Sequence, residues 1–291
     1  MLNINSLYEI LAHHYINRKK VTKVSDMSMG KRLVVLATGK SANEYWSCAS
    51  IQKKFLSDDI LVMNRTIYKM RDQIFKLRPK YLAICDPIYW GNISSAAVNH
   101  DLATDTYKKT KEVLEEVDWK CFLITTIHES FDFNNPNVQI VRLNTTNRET
   151  KSEFDYWLYK YNFCSPIIQN VAQLAIYFGI TFEYKEIALI GIDFDFIKNL
   201  FCDKNCIVGL TAEHQYDVQG EATVTAYFTK ERKGDINNSV LAKYLYEIAV
   251  TIGCFGKLSI YAQKQGCRIV NYSENSLIDC YEKKNLRDKE D

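Results

Sequence analysis

Two aspartates at the end of the stretch EIALIGIDFDF, residues 186–196, have the clearest potential for chemistry in this sequence. Asp193 and Asp195 follow an apolar run and are separated by Phe194. Alternate residues of a strand face the same side, so this spacing predicts that both carboxylates point the same way. Three interpretations stay open: a divalent-metal site for a nucleotide diphosphate, a nucleotide pocket without metal, or the polar end of a core strand.

A histidine that follows this run has the surroundings of a catalytic base. His214 lies in the polar stretch TAEHQYD and is flanked by Glu213 and Asp217. A neutral imidazole beside a carboxylate can take a proton from a hydroxyl near neutral pH. The alternative interpretation is a histidine in a surface loop.

A small-residue turn follows the first apolar run. In RLVVLATGKSANEY, the run 33–37 leads into Thr38-Gly39-Lys40-Ser41 and then into a helical pattern. Such a turn presents backbone N–H groups and the positive end of a helix dipole, which suits a phosphate. A turn with a single glycine matches neither the GxGxxG motif nor the P-loop motif, so this signal by itself is not specific. The polar residues that end apolar runs are Thr38, Gly39, Ser41, Asn64, Asp86, Ser165, Asp193 and Asp195.

The elements that must position these residues alternate between strand and helix. Apolar runs predict strands over 33–37, 59–64, 81–87, 120–126, 138–143, 186–196 and 267–273. Helical spacing predicts helices ending at 55, over 95–117 and 165–179, from 237 to 266, and a short one in ENSLIDCY. Ser165 is the expected N-cap of the helix over 165–179, Pro166 its first residue and Gly179 its C-cap. The alternation predicts the α/β class, with a single Rossmann-like nucleotide-binding domain and a mainly parallel sheet.

The chain divides into four predicted segments. Residues 1–30 form an amphipathic helix (Leu7, Ile10, Leu11, Tyr15) and a basic linker, and 31–196 form the nucleotide-binding core. Residues 197–236 are a polar, lid-like region that carries His214, and 237–291 complete the core and end in a charged tail that we expect to be frayed. The basic segment 18–20 is either a solvated linker or a contact with an anionic membrane surface.

Composition excludes several classes of protein. The 291 residues are 47% hydrophobic, enough for a large core, and 37 basic residues balance 35 acidic ones, which gives no indication of a nucleic-acid partner. The nine cysteines are scattered and odd in number, and the N-terminus lacks a signal peptide's features, so we expect free thiols in the cytoplasm. No apolar run approaches the roughly 18–20 residues of a membrane helix, so a membrane contact would be peripheral.

Taken together, the segments resemble the bacterial lipooligosaccharide sialyltransferases of glycosyltransferase family 42 over roughly residues 32–280. LVVLATGKSANEY resembles the opening strand and nucleotide turn, VMNRTIY the second strand, and CDPIYW an Asn-Pro-Ser segment. The block NFCSPIIQNVAQLAIYFGITFEYKEIALIGIDF contains the strongest motif, GIDF. EHQYD falls near the family's catalytic histidine, and CRIVNYSENSLI resembles its closing strand and turn.

The resemblance implies a Rossmann-like domain of a modified GT-A type with a small lid-like segment. Such an enzyme transfers sialic acid, or a related acidic sugar, with inversion from a CMP-sugar donor and needs no metal or other cofactor. The acceptor would be a galactose-type hydroxyl of a bacterial surface glycan, such as an O-antigen or a lipid-linked oligosaccharide at the inner membrane. His214 would be the catalytic base. The donor contacts would be Thr38, Gly39, Ser41, Asn64, Asp86, Ser165, Gly191, Asp193, Asp195, Asn275 and Ser276.

The sequence also departs from the family's pattern. Asp195 stands where the family has a tyrosine that bonds the donor phosphate, and Asp86 replaces an asparagine. A carboxylate repels a phosphate unless a cation or a basic residue intervenes. A metal-dependent glycosyltransferase that uses a nucleotide-diphosphate sugar, with Asp193 and Asp195 as ligands, is therefore the alternative. A pyrophosphokinase-like activity, a non-catalytic nucleotide-binding subunit and a homo-oligomeric state also stay open.

Overall fold

A parallel sheet of eight strands forms the centre of the protein. The computed structural model describes residues 21, 31–90, 100–202, 204, 208–212, 223–226 and 240–288. The strands are β1 (Arg32–Leu36), β2 (Asp59–Met63), β3 (Tyr81–Ala83), β4 (Cys121–Thr126), β5 (Val138–Leu143), β6 (Glu186–Ile190), β7 (Leu200–Cys202), β8 (Val208–Ala212), β9 (Thr223–Ala226), β10 (Arg268–Asn271) and β11 (Glu282–Lys283). Every neighbouring pair in the central sheet is parallel, whereas β7, β8 and β9 form a separate antiparallel sheet.

Helices cover both faces of the central sheet. They are α1 (Ala42–Ser47), α2 (Ala49–Lys54), α3 (Thr66–Lys69), α4 (Arg71–Leu77), α5 (His100–Glu116), α6 (Glu153–Lys160), α7 (Val171–Thr181) and α8 (Val240–Gln265). Side chains of α1–α5 share one buried cluster with the sheet, and those of α6–α8 share the other. Strand β1 serves both: Leu33 and Val35 face one cluster, and Val34 and Leu36 face the other. This explains its uninterrupted apolar sequence, since parallel strands are buried on both sides.

The strand order places a switch point beside β1. The sheet reads β11-β10-β6-β1-β2-β3-β4-β5, so the chain moves outward from β1 to β5 and then returns to the other side of β1 with β6. In open α/β sheets, ligands bind outside the carboxyl ends of the strands where the order reverses. The predicted α/β class with a mainly parallel, Rossmann-like sheet is confirmed.

The helix predicted to start at Ser165 is wrong at both ends. Helix α7 begins at Val171, and the side chain of Asn170 caps it by accepting a hydrogen bond of 2.9 Å from the backbone N–H of Gln173. Gly179 lies inside this helix rather than at its C-cap. A side chain does not fit at this position, because a Cβ there would lie 2.6 Å from Cδ1 of Ile187. The glycine therefore lets α7 pack closely on β6.

The C-terminal predictions are also corrected. The stretch ENSLIDCY contains no helix, and the tail that was expected to fray forms β11 and pairs with β10. Leu286 is buried, and the Lys54 ammonium donates a hydrogen bond of 2.8 Å to the carbonyl of Asp288. These long-range contacts fix the tail as far as residue 288.

The predicted lid region is only partly described. Between 197 and 236, the described residues include most of a 3-10 turn (Phe196–Asn199) and the strands β7, β8 and β9. His214 lies outside the described residues, and so do residues 1–30 apart from Val21. The lid, the N-terminal helix and the proposed base therefore stay predictions.

Helix α8 corrects the expectation about apolar runs. Within the described residues, the helical span Leu241–Gln265 is long and apolar enough to cross a membrane. Phe255, Leu258 and Tyr261 of this helix are nevertheless buried in the core beside α7. A long core helix passes the same test of length and composition, so the finding does not place the chain in a membrane.

A buried ion pair organises the loop between β5 and α6. The Asp155 carboxylate is fully buried, is paired with the Arg148 guanidinium, and accepts hydrogen bonds of 2.7 Å from the backbone N–H groups of Lys151 and Ser152. The backbone N–H of Arg148 in turn donates a hydrogen bond of 2.8 Å to the Ser165 carbonyl. Burial by itself raises the pKa of Asp155, but these hydrogen bonds and the Arg148 charge hold it below its usual value.

We expect Asp155→Asn to lower the free energy of unfolding near neutral pH by about 3 kcal/mol, because it removes the buried negative charge that faces the Arg148 guanidinium. A carboxylate with a depressed pKa stabilises the fold above its unfolded pKa of about 3.9 and loses that contribution as the pH falls through the folded pKa. The difference from the parent protein should therefore shrink below about pH 4. Urea unfolding at several pH values measures it.

The matched control is Glu149→Gln. Glu149 is exposed, and its ion pair with the exposed Lys151 is long, at 3.8 Å, and therefore weak. It should change stability by less than about 0.5 kcal/mol. An Asp155→Asn variant as stable as the parent near neutral pH would show that this ion pair does not hold the loop.

Candidate functional site

The loops after β1 and β6 meet at the switch point. Backbone pairing continues beyond both strands, with hydrogen bonds of 2.8 Å from the Ala37 N–H to the Ile190 carbonyl and 2.9 Å from the Gly39 N–H to the Gly191 carbonyl. This pairing brings together four residues that the sequence predicted as nucleotide contacts. They are Gly39, Ser41, Gly191 and Asp193.

Asp193 joins the two loops through its carboxylate. One oxygen, Oδ2, accepts a hydrogen bond of 3.0 Å from the Ser41 backbone N–H, and Oδ1 accepts a short one from the Ser41 hydroxyl. Asp193 is buried, with 6% of its surface exposed. One of the backbone N–H groups in the turn that was predicted to hold a phosphate, that of Ser41, is therefore occupied by a side chain of the protein.

Two glycines make this approach of the loops possible. A Cβ on Gly39 would lie 2.5 Å from Asp193 Oδ2 and 2.5 Å from the Gly191 carbonyl oxygen. Gly191 itself has a φ of +79°, in the left-handed region that favours glycine, and a Cβ there would lie 2.8 Å from the Ala42 Cβ. Both positions therefore require glycine, because any side chain there would collide with the neighbouring loop or with α1.

The loop after β10 completes the junction. The Ile192 N–H donates to the Ser273 hydroxyl at 2.9 Å, and the Ser276 hydroxyl donates to the Ile192 carbonyl at 2.7 Å. The Leu277 N–H donates to the Asp193 carbonyl at 2.9 Å. Ser276 is thus a buried support of the β6 loop, whereas its neighbour Asn275 is exposed.

A polar cleft opens beside this junction. It has a volume of about 320 Å³ and is bounded by the loops after β1 and β10 and by the C-terminal segment. Three asparagine amides, a tyrosine, a lysine and two glutamates line it, and such a set can hydrogen-bond sugar hydroxyls and the edge of a base. The lining residues are Lys40, Ser41, Asn43, Glu44, Tyr272, Glu274, Asn275, Asn285 and Leu286.

Thr38 and Asn64 lie next to this junction along the sheet. Leu36 pairs with Val62, so Thr38 and Asn64 both follow the carboxyl ends of these neighbouring strands. Asn64 adopts a left-handed φ of 52°, and its buried Oδ1 has no hydrogen-bond partner among the described residues. An unsatisfied buried acceptor calls for an explanation, and a ligand donor is one.

The remaining predicted contacts lie farther along the sheet. Asp86, after β3, is exposed and accepts a hydrogen bond of 3.0 Å from the Ile88 N–H, so it caps the 3-10 turn Pro87–Trp90. Ser165 is fully buried and bridges to Asn147 in the loop after the edge strand β5, four places from β1. Its hydroxyl has no partner among the described residues. Neither residue lines the cleft.

The assumed arrangement of the two aspartates is wrong. Strand β6 ends at Ile190, and Phe194 has a left-handed φ of 49°, so strand alternation does not apply to Asp193 and Asp195. Asp193 turns toward Ser41, whereas half-buried Asp195 starts the 3-10 turn that follows. Phe194, between them, packs edge-on against Phe255 of α8 with ring centres 5.7 Å apart. Over the described ranges, no three His, Cys, Asp or Glu side chains group in a way that could hold a metal ion.

A cysteine at the carboxyl edge of the sheet is unreactive. Cys85 follows β3, and its burial, together with the charge of Asp86, raises the pKa of the thiol to about 12. It is therefore protonated at neutral pH and is not a nucleophile, since the thiolate is the reactive form.

Sequence reasoning missed several residues of the cleft. Lys40 lies inside the turn that was singled out, and its charge next to a predicted phosphate contact was an available signal. Asn43 and Tyr272 carry no such signal. Asn285 lies in the tail that was expected to fray, and only the pairing of β11 with β10 brings it to the cleft.

We expect Gly39→Ala to lower the free energy of unfolding by about 2 kcal/mol, because the added Cβ must displace the Asp193 carboxylate or the Gly191 backbone. Lys53→Ala, on the exposed side of α2, is the matched control and should change stability by less than about 0.5 kcal/mol. Urea unfolding measures both. Equal stability of the two variants would contradict the close contact between the β1 and β6 loops.

Comparisons with known proteins do not identify the chain. No protein-family model matches it, and neither a curated protein nor a solved structure does. Its function must therefore be inferred from the geometry at the carboxyl edge of the sheet and from the sequence motifs.

Proposed function

We propose that this chain is an inverting glycosyltransferase that uses a CMP-activated acidic sugar. The observation that carries the proposal is the polar cleft of about 320 Å³ beside the β1–β6 switch point. That is where doubly wound sheets bind nucleotides. The motif resemblance to the lipooligosaccharide sialyltransferases supports the choice of donor. The acceptor glycan, the modified GT-A type, the lid and the place at the inner membrane stay predictions.

The cleft suits a nucleoside with a single phosphate. The side-chain amides of Asn43, Asn275 and Asn285 offer both donors and acceptors to a ribose and to a pyrimidine edge. Lys40 brings a positive charge to the same opening. Lys40 precedes Ser41, the partner of Asp193, and Glu44, one of the two glutamates of the cleft, is paired with the Arg287 guanidinium.

Asp193 serves the site by holding its loops. Both of its oxygens accept hydrogen bonds from Ser41, so this carboxylate faces donors of the β1 turn. We infer that it fixes the floor of the pocket, as the GIDF resemblance implied for the nucleoside side. Asn64, with its unsatisfied Oδ1, is the second contact, at the end of the neighbouring strand β2.

The transfer step needs one base and a stabilised leaving group. In the proposed reaction, the imidazole of His214 takes the proton of the acceptor hydroxyl, whose oxygen forms a bond to the anomeric carbon of the donor sugar. The bond from that carbon to the phosphate oxygen breaks, and CMP leaves with the electron pair. Hydrogen-bond donors and one lysine can stabilise this single phosphate without a divalent ion.

Nucleotide binding is the first test. We expect CMP to raise the melting temperature in the presence of EDTA, and a ligand at 100 times its Kd stabilises a fold by about 2.7 kcal/mol. CDP, UDP and GDP, each with EDTA or with Mn²⁺, are the comparison series. A shift that appears only with UDP or GDP plus Mn²⁺ would replace this proposal with the metal-dependent alternative.

We expect Asn275→Ala to weaken CMP binding by about threefold to tenfold, which corresponds to the loss of one hydrogen bond. Asn275 is exposed, so the substitution should leave the fold intact. Lys53→Ala is again the control, because Lys53 does not line the cleft. Calorimetric titration measures the Kd, and unchanged affinity would mean that CMP binds elsewhere.

We expect His214→Ala to abolish sugar transfer while CMP binding is nearly unchanged, because the base acts on the acceptor rather than on the donor. Transfer of labelled sugar from CMP-sialic acid to a galactoside measures the rate. A variant that keeps most of its kcat would exclude His214 from the role of base.

A further inference from the structure

Helix α8 presents an exposed apolar stripe to solvent. Tyr246, Ala249, Gly253, Gly256 and Ile260 recur at spacings of three and four, so they lie on one side of the helix. Tyr246 is 70% exposed and Ile260 50% exposed, although both are large and apolar. The opposite side of α8 is buried in the core. The stripe is therefore the face of α8 that the other described residues leave exposed.

The two glycines in this stripe need an explanation. A Cβ on Gly253 or on Gly256 would meet no heavy atom within 4 Å among the described residues. Glycine inside a helix costs roughly 1 kcal/mol relative to alanine, so its use at an open position is unfavourable by itself. A second backbone that packs closely over the stripe would explain both glycines, because small residues let helices approach.

The first residues of the chain have the complementary pattern. Ile4, Leu7, Tyr8, Leu11 and Tyr15 also recur at spacings of three and four, so a helix there would carry large apolar side chains on one face. Large side chains on one helix pack well against small ones on its neighbour.

The path of the chain brings this segment to α8. The Lys31 carbonyl accepts a hydrogen bond of 3.1 Å from the Lys185 N–H, and the Lys185 carbonyl accepts one of 2.9 Å from the Arg268 N–H. These residues lie side by side at the amino edge of β1, β6 and β10, and Arg268 follows the end of α8 at Gln265. Two strand spacings put the entry of β1 about 10 Å from the start of β10.

The connecting length is sufficient. Residues 17–30 can span up to about 46 Å when extended. The stripe from Tyr246 to Ile260 is about 21 Å long at the helical rise per residue. A tethered segment also acts at a high effective concentration, which favours it over a second molecule or a membrane.

We propose that the segment 4–15 docks on the exposed face of α8 through its apolar side chains. The contact then stabilises the candidate site, because Tyr244 and Ile248 of α8 pack with Phe194, Ile197 and Leu200 of the segment that follows Asp193. The proposal is independent of the sugar donor and of the proposed activity.

Accessibility of Ile260 tests the contact. An Ile260→Cys variant of the full chain is labelled with a maleimide, and peptide mass spectrometry separates this site from the native cysteines. We expect labelling to be about tenfold faster when Leu7→Asp and Leu11→Asp are added, which corresponds to about 1.4 kcal/mol of docking free energy. Ser6→Asp, on the other side of the same predicted helix, should leave the rate unchanged.

The controls distinguish the possible occupants of the stripe. A Leu56→Cys variant, at a site that is 75% exposed, should be labelled at the same rate with and without the Leu7 and Leu11 substitutions. Equal rates at Ile260→Cys in both backgrounds would overturn the proposal. Protection that grows with protein concentration would assign the stripe to a second copy. Protection that appears only with phosphatidylcholine–phosphatidylserine vesicles would assign it to a membrane.

Discussion

The contact between Asp193 and Ser41 is the interaction on which the carboxyl edge of the sheet depends. The two residues are 152 positions apart, and their hydrogen bonds join the loops of the central strands β1 and β6. A buried carboxylate is costly unless its acceptors are satisfied, and here a hydroxyl and a backbone N–H satisfy both oxygens. Gly39 and Gly191 are required because no larger residue fits between these loops.

Polar and apolar supports together hold this junction. The loop after β10 bonds to the β6 loop through Ser273 and Ser276, and Phe194 packs against Phe255 of α8. The segment after β6 is therefore fixed by polar contacts at one point and by apolar packing at the next. A junction held in this way has its geometry fixed by the protein's own contacts, so little of it would have to be ordered when a ligand binds.

The structure shows which groups bond to Asp193 and Asp86, two acidic residues near the carboxyl edge of the sheet. Free carboxylates at this edge would repel a phosphate, but Asp193 faces donors of the β1 turn and Asp86 caps a 3-10 turn away from the cleft. Lys40 adds a positive charge at the opening. The cleft is thus polar and mixed in charge, because Lys40 lines it together with Glu44 and Glu274.

The sequence by itself determined the α/β class and most of the strands, because an apolar run of five or six residues that is buried on both faces leaves a local pattern. The runs at β1, β2 and β6 are examples, and the 26-residue helix α8 also left a local pattern. Local patterns also marked Gly39, Ser41, Gly191 and Asp193 as residues of the sheet's carboxyl edge. His214 and the donor sugar rest on the sequence alone.

Only the tertiary structure decided which of these residues meet and what they bond. Ser165 looked like a helix cap, but the cap is Asn170, because Ser165 is drawn into a bridge with Asn147. Asn285 and the short strand β11 looked like a frayed tail, since their partners in β10 and α2 are far away in sequence. The spacing of Asp193 and Asp195 predicted that their carboxylates point the same way, yet Asp193 turns to Ser41. Spacing along a chain reports local geometry, whereas the partner of a polar side chain depends on which distant strand lies next to it.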